Sequence, residues 1–185
     1  MEKLVIKNFA GLKRVSLEIS PVTGLIGPQA SGKSVTAKLL YFFREIASRL
    51  PQAVINEGLD AAKYKAKCCQ RFNRYFPIEN NVSSDFEITY SSKNEQVRVI
   101  FNKEENEERR TVGLAWTDFY PKAVEKIAQR KEKLLSAVVE TDKDGVANAQ
   151  RALRDEFYDE AAQVLGEWSK FEQIFIPAGR AFFRR

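Results

Sequence analysis

Three observations predict an α/β fold with a mixed sheet for this 185-residue sequence. Two short segments near the start read as strands, the second alternating apolar and polar residues with period two. A glycine-bounded loop then separates an apolar run from an amphipathic helical stretch, giving the order strand, loop, helix. The second half holds a hairpin pattern followed by two long helical stretches.

Leu4-Val5-Ile6-Lys7-Asn8-Phe9 reads as the first strand and Arg14-Val15-Ser16-Leu17-Glu18-Ile19-Ser20 as the second. Gly11 suits the turn between them, and Pro21 ends the second. Val22-Thr23-Gly24-Leu25-Ile26 runs apolar into Gly27, the pattern of a buried strand. Beyond the loop, Val35, Leu39, Phe42 or Phe43, Ile46 and Leu50 recur at helical spacing, and Pro51 is expected to stop that helix. A second helical stretch covers about Gly58 to Tyr75 and ends near Pro77.

Phe86-Glu87-Ile88-Thr89-Tyr90 and Val97-Arg98-Val99-Ile100-Phe101 read as a hairpin over about 85–102, with residues 91–95 as its loop. A helical hairpin insertion is expected over about 118–168. Its first helix aligns Val124, Ile127, Lys131, Leu134, Leu135 and Val138, with Pro121 tolerable in the opening turn. Asp142-Lys143-Asp144-Gly145 breaks it, and Val146, Leu153, Phe157, Val164 and Trp168 share a stripe on the second. Gln173-Ile174-Phe175-Ile176-Pro177 reads as a short buried strand.

Composition removes several function classes. No apolar run approaches the roughly 18–20 residues that cross a bilayer, and the start lacks a signal-peptide core, so a cytosolic protein is expected. The chain has no histidine, which removes serine–histidine and cysteine–histidine hydrolysis. Cys68 and Cys69 are adjacent, cannot staple the fold, and are expected to be reduced thiols. Residues 1–50 carry eight Lys and Arg against three Asp and Glu, which suits a polyphosphate and, as a second partner, nucleic acid.

Gly27-Pro28-Gln29-Ala30-Ser31-Gly32-Lys33-Ser34 fits G-x-x-x-x-G-K-[ST] in full. Glycines at each end let the backbone wrap so that successive N–H groups face phosphate oxygens. The helix beginning near Gly32 adds its positive end. Lys33 is expected to reach the β- and γ-phosphates as the catalytic cation, and the Ser34 hydroxyl to ligate magnesium. ATP with Mg2+ is therefore the expected ligand pair. Hydrolysis also needs an acidic residue after an apolar strand, and no such strand is legible. Asp85 and Asp118 remain as magnesium partners by default only.

These residues carry a family likeness. The path from Leu4-Val5-Ile6-Lys7-Asn8-Phe9 through Val15–Ile19 into Gly24–Ser34 resembles the start of ABC-type ATPases of the SMC, RecF and OLD kind. There an I-x-N-F strand leads through a second strand into GPNGSGKS. Phe175-Ile176-Pro177-Ala178-Gly179-Arg180 resembles the IPA-x-R segment of bacterial AAA-type proteins in this group, many of them phage-defence components. Gln29 and Ala30 depart from the usual Asn and Gly, and the signature motif, Asp-Glu strand and switch histidine are absent. The resemblance implies the N-terminal lobe of a P-loop NTPase of ABC type, whose C-terminal lobe lies elsewhere. It further implies a composite nucleotide site between two copies, hence a homo-oligomer, acting in DNA repair or phage defence by clamping DNA or releasing an effector protein. An oligomeric scaffold gated by nucleotide, with little turnover, is the alternative.

Two weaker signals complete the reading. Lys63-Tyr64-Lys65-Ala66-Lys67 and Arg71-Phe72-Asn73-Arg74-Tyr75-Phe76 interleave basic and aromatic residues, a pattern that suits DNA. An amphipathic helix with a solvated basic face and buried rings is the commoner source of that pattern. Arg180, Arg184 and Arg185 would suit phosphate or partner contacts, and the acidic run 104–108 reads as a solvated loop.

Overall fold

A computed structural model describes residues 1–77, 85–102, 111–137 and 143–171. Strands β1 (Glu2–Phe9) and β2 (Leu12–Ile19) open the chain, followed by helices α1 (Lys33–Ser48), α2 (Leu50–Glu57) and α3 (Ala61–Tyr75). Strands β3 (Glu87–Ser92), β4 (Glu95–Asn102) and β5 (Thr111–Trp116) come next, then α4 (Phe119–Ala137), α5 (Lys143–Val164) and a 3-10 turn (Glu167–Lys170).

The strands form one sheet in the order β2-β1-β3-β4-β5, and every neighbouring pair is antiparallel. The expectation of a mixed sheet is therefore corrected for the described residues. Short turns join β1 to β2 and β3 to β4, and a short connection can only reverse a strand. The β1–β2 turn has Ala10 at φ 50° and Gly11 at φ 82°, both in the left-handed region that a two-residue hairpin turn demands.

One face of the sheet is the core. Ile6, Ile88, Val99 and Leu114 stand in register across four strands, all buried. On the other face Lys3, Lys7 and Arg14 are exposed. Asn8 at φ 52° breaks the two-residue period, so Phe9 is buried although its place in the alternation would face solvent. Phe9 there meets Phe86 at 4.9 Å, Phe76 at 5.5 Å and Phe72 at 5.8 Å between ring centroids.

Helix α1 lays Leu39, Phe42, Phe43, Ile46 and Ala47 on that core. It stops at Ser48, ahead of Pro51. That proline does not end the helical region as expected; it sits in the first turn of α2, where its missing N–H has no helical partner to lose. Asp60 caps α3 by accepting from the Lys63 backbone N–H at 2.8 Å. Helix α3 buries Tyr64, Cys68 and Phe72.

The sequence reading missed β5, whose Val112, Leu114 and Trp116 alternate inward around Gly113. Helices α4 and α5 pack through Val124, Ile127, Leu153 and Phe157, all buried. Lys126–Glu160 at 2.5 Å and Arg130–Glu156 at 2.8 Å run along their seam. Helix α5 ends at Val164, and Gly166 at φ 119° turns the chain. Trp168 thus leaves the helical stripe predicted for it; its indole donates to the Leu165 carbonyl at 3.1 Å and its ring lies 5.4 Å from the Arg44 guanidinium.

Candidate phosphate-binding site

Ser20 to Gly32 connects β2 to α1 as irregular chain. The buried strand expected over Val22–Ile26 is not there. Val22 is 91% exposed and Ile26 99% exposed. Among the described residues no strand pairs with this segment, so its backbone has no ladder to join, and Val22 and Ile26 stay in solvent while Leu25 is half-buried.

The loop proper folds against the β1–β2 end of the sheet. A Cβ on Gly32 would lie 2.5 Å from Leu12 Cδ2, and Gly32 takes φ 83°, so only glycine fits there. No sequence pattern singled out Leu12 as that neighbour. Ala30, which replaces the glycine usual in the resembling family, takes φ 60°. The backbone keeps a left-handed turn at this position, at a cost of about 1–2 kcal/mol for a residue with a Cβ.

Lys33, the first residue of α1, crosses back over the loop. Its ammonium donates to the Gly27 carbonyl at 2.7 Å, the Pro28 carbonyl at 2.5 Å and Ser31 Oγ at 3.1 Å. One cation therefore ties the entrance of the loop to its exit. The first closed turn of α1 runs from the Thr36 N–H to the Gly32 carbonyl, at 2.9 Å. The N–H groups of Lys33, Ser34 and Val35 precede it and have no acceptor within the helix. No side chain caps this end, and no acidic residue stands in the first turn.

The donor set therefore fits an anion. Backbone N–H groups, a helix N-terminus and a lysine ammonium all offer positive charge, and the loop around them is largely exposed. The exposed Ser34 hydroxyl in the same turn is a side-chain oxygen of the kind that ligates magnesium. Among the described residues no group of three or more His, Cys, Asp and Glu comes together, so phosphate oxygens and water would have to complete the coordination.

The two default acids part company. Asp85 lies at the loop's end of the sheet, where its carbonyl accepts from Asn8 Nδ2 at 3.4 Å. Asp118 follows β5, at the opposite edge and the opposite end, beside the Thr117–Gln96 backbone bond. Four strand spacings of about 4.8 Å separate β5 from β2. In α3, Tyr64 and Phe72 are fully buried, so these two rings of the basic–aromatic run belong to the core, while Tyr75 is half-buried against it. Burial pushes the Cys68 thiol up to about 12, which leaves it protonated and inert at neutral pH. The segment 173–177, the acidic run 104–108 and Arg180, Arg184 and Arg185 lie outside the described residues.

No helix of the described residues is long and apolar enough to cross a membrane. No curated protein and no solved structure matches the chain. A family model described as an AAA ATPase domain matches residues 1–174, a span that takes in the whole loop and all the described elements. With most of its length inside that match, the chain belongs to the AAA ATPase domain family, a family of nucleotide-binding ATPases.

Proposed function

We propose that residues 27–34 bind the triphosphate of ATP together with Mg2+, in the N-terminal lobe of an ABC-type ATPase of the SMC, RecF and OLD kind. The observation that carries this reading is the join of Lys33 to α1. A cation held across a glycine-bounded loop stands at the uncapped N-terminus of a helix, with Ser34 beside it. In this reading Lys33 and the backbone N–H groups hold the β- and γ-phosphates, and Ser34 supplies one magnesium ligand. The ion would neutralise phosphate charge.

The acid that orients attacking water would come from a further lobe or a second chain. Val22 and Ile26 support this part: two large apolar side chains beside the loop, almost wholly in solvent, suit a covering strand. A site completed by a second copy would make the protein a homo-oligomer, with DNA repair or phage defence as its setting and DNA or an effector protein as its partner.

A second reading, a nucleotide-gated scaffold with little turnover, draws on a different observation. The first turn of α1 carries no acidic residue, and Asp118 sits at the far corner of the sheet. Sustained ATP hydrolysis by the protein with its partners would favour the enzyme, and tight binding without turnover the scaffold.

The binding step is tested by titrating the chain and Lys33→Ala with a fluorescent ATP analogue, with and without magnesium. Magnesium-dependent binding that falls to the millimolar range in the variant supports the site. Binding unchanged in Lys33→Ala, or no binding by the wild-type chain, removes it.

A further inference from the structure

The lysine ammonium has three N–H donors. In this loop all three are engaged: two on the backbone carbonyls of Gly27 and Pro28, at 2.7 and 2.5 Å, and the third on Ser31 Oγ at 3.1 Å. A phosphate oxygen that bonds to Lys33 must therefore displace one of the three. The carbonyl contacts are the shorter pair, and their acceptors are fixed in the backbone. The Ser31 contact is the longest, and its acceptor sits on a side chain that a single χ1 rotation carries away.

We infer that Ser31 is a positioning residue of the nucleotide site. Its hydroxyl accepts the third N–H of Lys33, the donor that a triphosphate oxygen must take over. The inference rests on the reading of residues 27–34 as a triphosphate site. Ser31 is placed for this by the loop's own fold, since a Cβ on Gly27 would lie 3.1 Å from Ser31 Oγ. The hydroxyl thus occupies the inside of the turn, in the space that the glycine leaves free. The serine then competes with the ligand for the cation.

The consequence has a definite sign. Removing the hydroxyl removes a bond that a phosphate oxygen must displace, so ATP binds more tightly. A hydroxyl that bonded the bound phosphate would give the opposite result. A net hydrogen bond at an exposed site corresponds to about a threefold change in affinity.

The experiment measures the affinity for ATP with magnesium of the wild type, Ser31→Ala, Ser31→Thr, Lys33→Ala and the double variant. ATP is followed to millimolar concentration by displacement of a fluorescent analogue, and thermal melting confirms that each variant folds. Ser31→Ala is expected to bind about threefold tighter, and Ser31→Thr, which keeps the hydroxyl, to match the wild type. In the Lys33→Ala background Ser31→Ala should change nothing, because the competition runs through the ammonium.

Equal or weaker binding in Ser31→Ala overturns the inference, as does a gain that persists without Lys33. A wild-type chain that binds no nucleotide removes the site reading itself and this inference with it. That outcome is distinct, since all five proteins are then silent.

Discussion

Arg44 on α1 forks onto the carboxylate of Glu2 at the start of β1, with Nε 2.7 Å from Oε1 and Nη2 2.6 Å from Oε2. The Tyr90 hydroxyl bonds the same carboxylate, and Trp168 covers the guanidinium. Burial works against the charge on Arg44, and the Glu2 carboxylate more than offsets it, so the guanidinium pKa is raised. The pair ties the helix that follows the glycine-bounded loop to the first strand, at the end of the sheet away from the loop.

Glu2→Ala should destabilise the fold by about 3 kcal/mol, because it removes the carboxylate to which a largely buried guanidinium and the Tyr90 hydroxyl both bond. A denaturant melt measures this. A loss below about 0.5 kcal/mol would show that the pair is not held together in solution.

Gly32→Ala should cost about 2–3 kcal/mol and abolish nucleotide binding, since it forces a Cβ into Leu12 at a left-handed position. Ala30→Gly should act the other way. It relieves the strain at φ 60° and raises stability by about 0.5–1 kcal/mol once the extra freedom of the unfolded chain is counted. Thermal melts of the two variants side by side check the opposite signs.

Alkaline pH should unfold the chain in a defined window. Burial raises Cys68 from 9.0 to about 12, and burial with the Glu45 hydrogen bond raises Tyr75 from 10.0 to about 12. Both groups bind their protons more tightly in the folded state. Their stabilisation is complete below about pH 9 and is lost as the pH rises through about 12. Cys68→Ala should make the fall in unfolding free energy between those limits shallower; an unchanged slope would count against the buried thiol.

Phe72→Ala should cost about 3–5 kcal/mol, because its ring is fully buried against Phe9, Phe42 and Phe76. Lys63→Ala, on the solvated side of the same helix, should stay within about 0.5 kcal/mol. Equal effects in a urea melt would mean that α3 does not present its aromatic face to the core.

The sequence reading succeeded where the signal is local. The helical recurrence of Leu39, Phe42, Phe43 and Ile46 marks α1, and the apolar start of β1, Gly11 and the alternation in β2 mark the opening hairpin. It placed the basic–aromatic run of α3 among two readings, and the burial of Tyr64 and Phe72 selects the core. It missed β5 because Gly113 interrupts a short alternation, and it read past the break at Gly166 because Trp168 happens to continue the helical spacing of α5.

By itself, the sequence determined the glycine-bounded loop, the lysine and serine that follow it and the amphipathic helix on which they sit, because each is written in residue spacing over a few turns of chain. Only the tertiary structure decided that every strand pairs antiparallel, that Asp118 lies at the corner of the sheet away from the loop, and that Val22 and Ile26 stay in solvent. The physical reason is that a helix closes its hydrogen bonds within one segment, whereas a strand requires a neighbour. The apolar pattern of residues 22–26 records a suitability for pairing, and the partner, absent among the described residues, decides whether it is used.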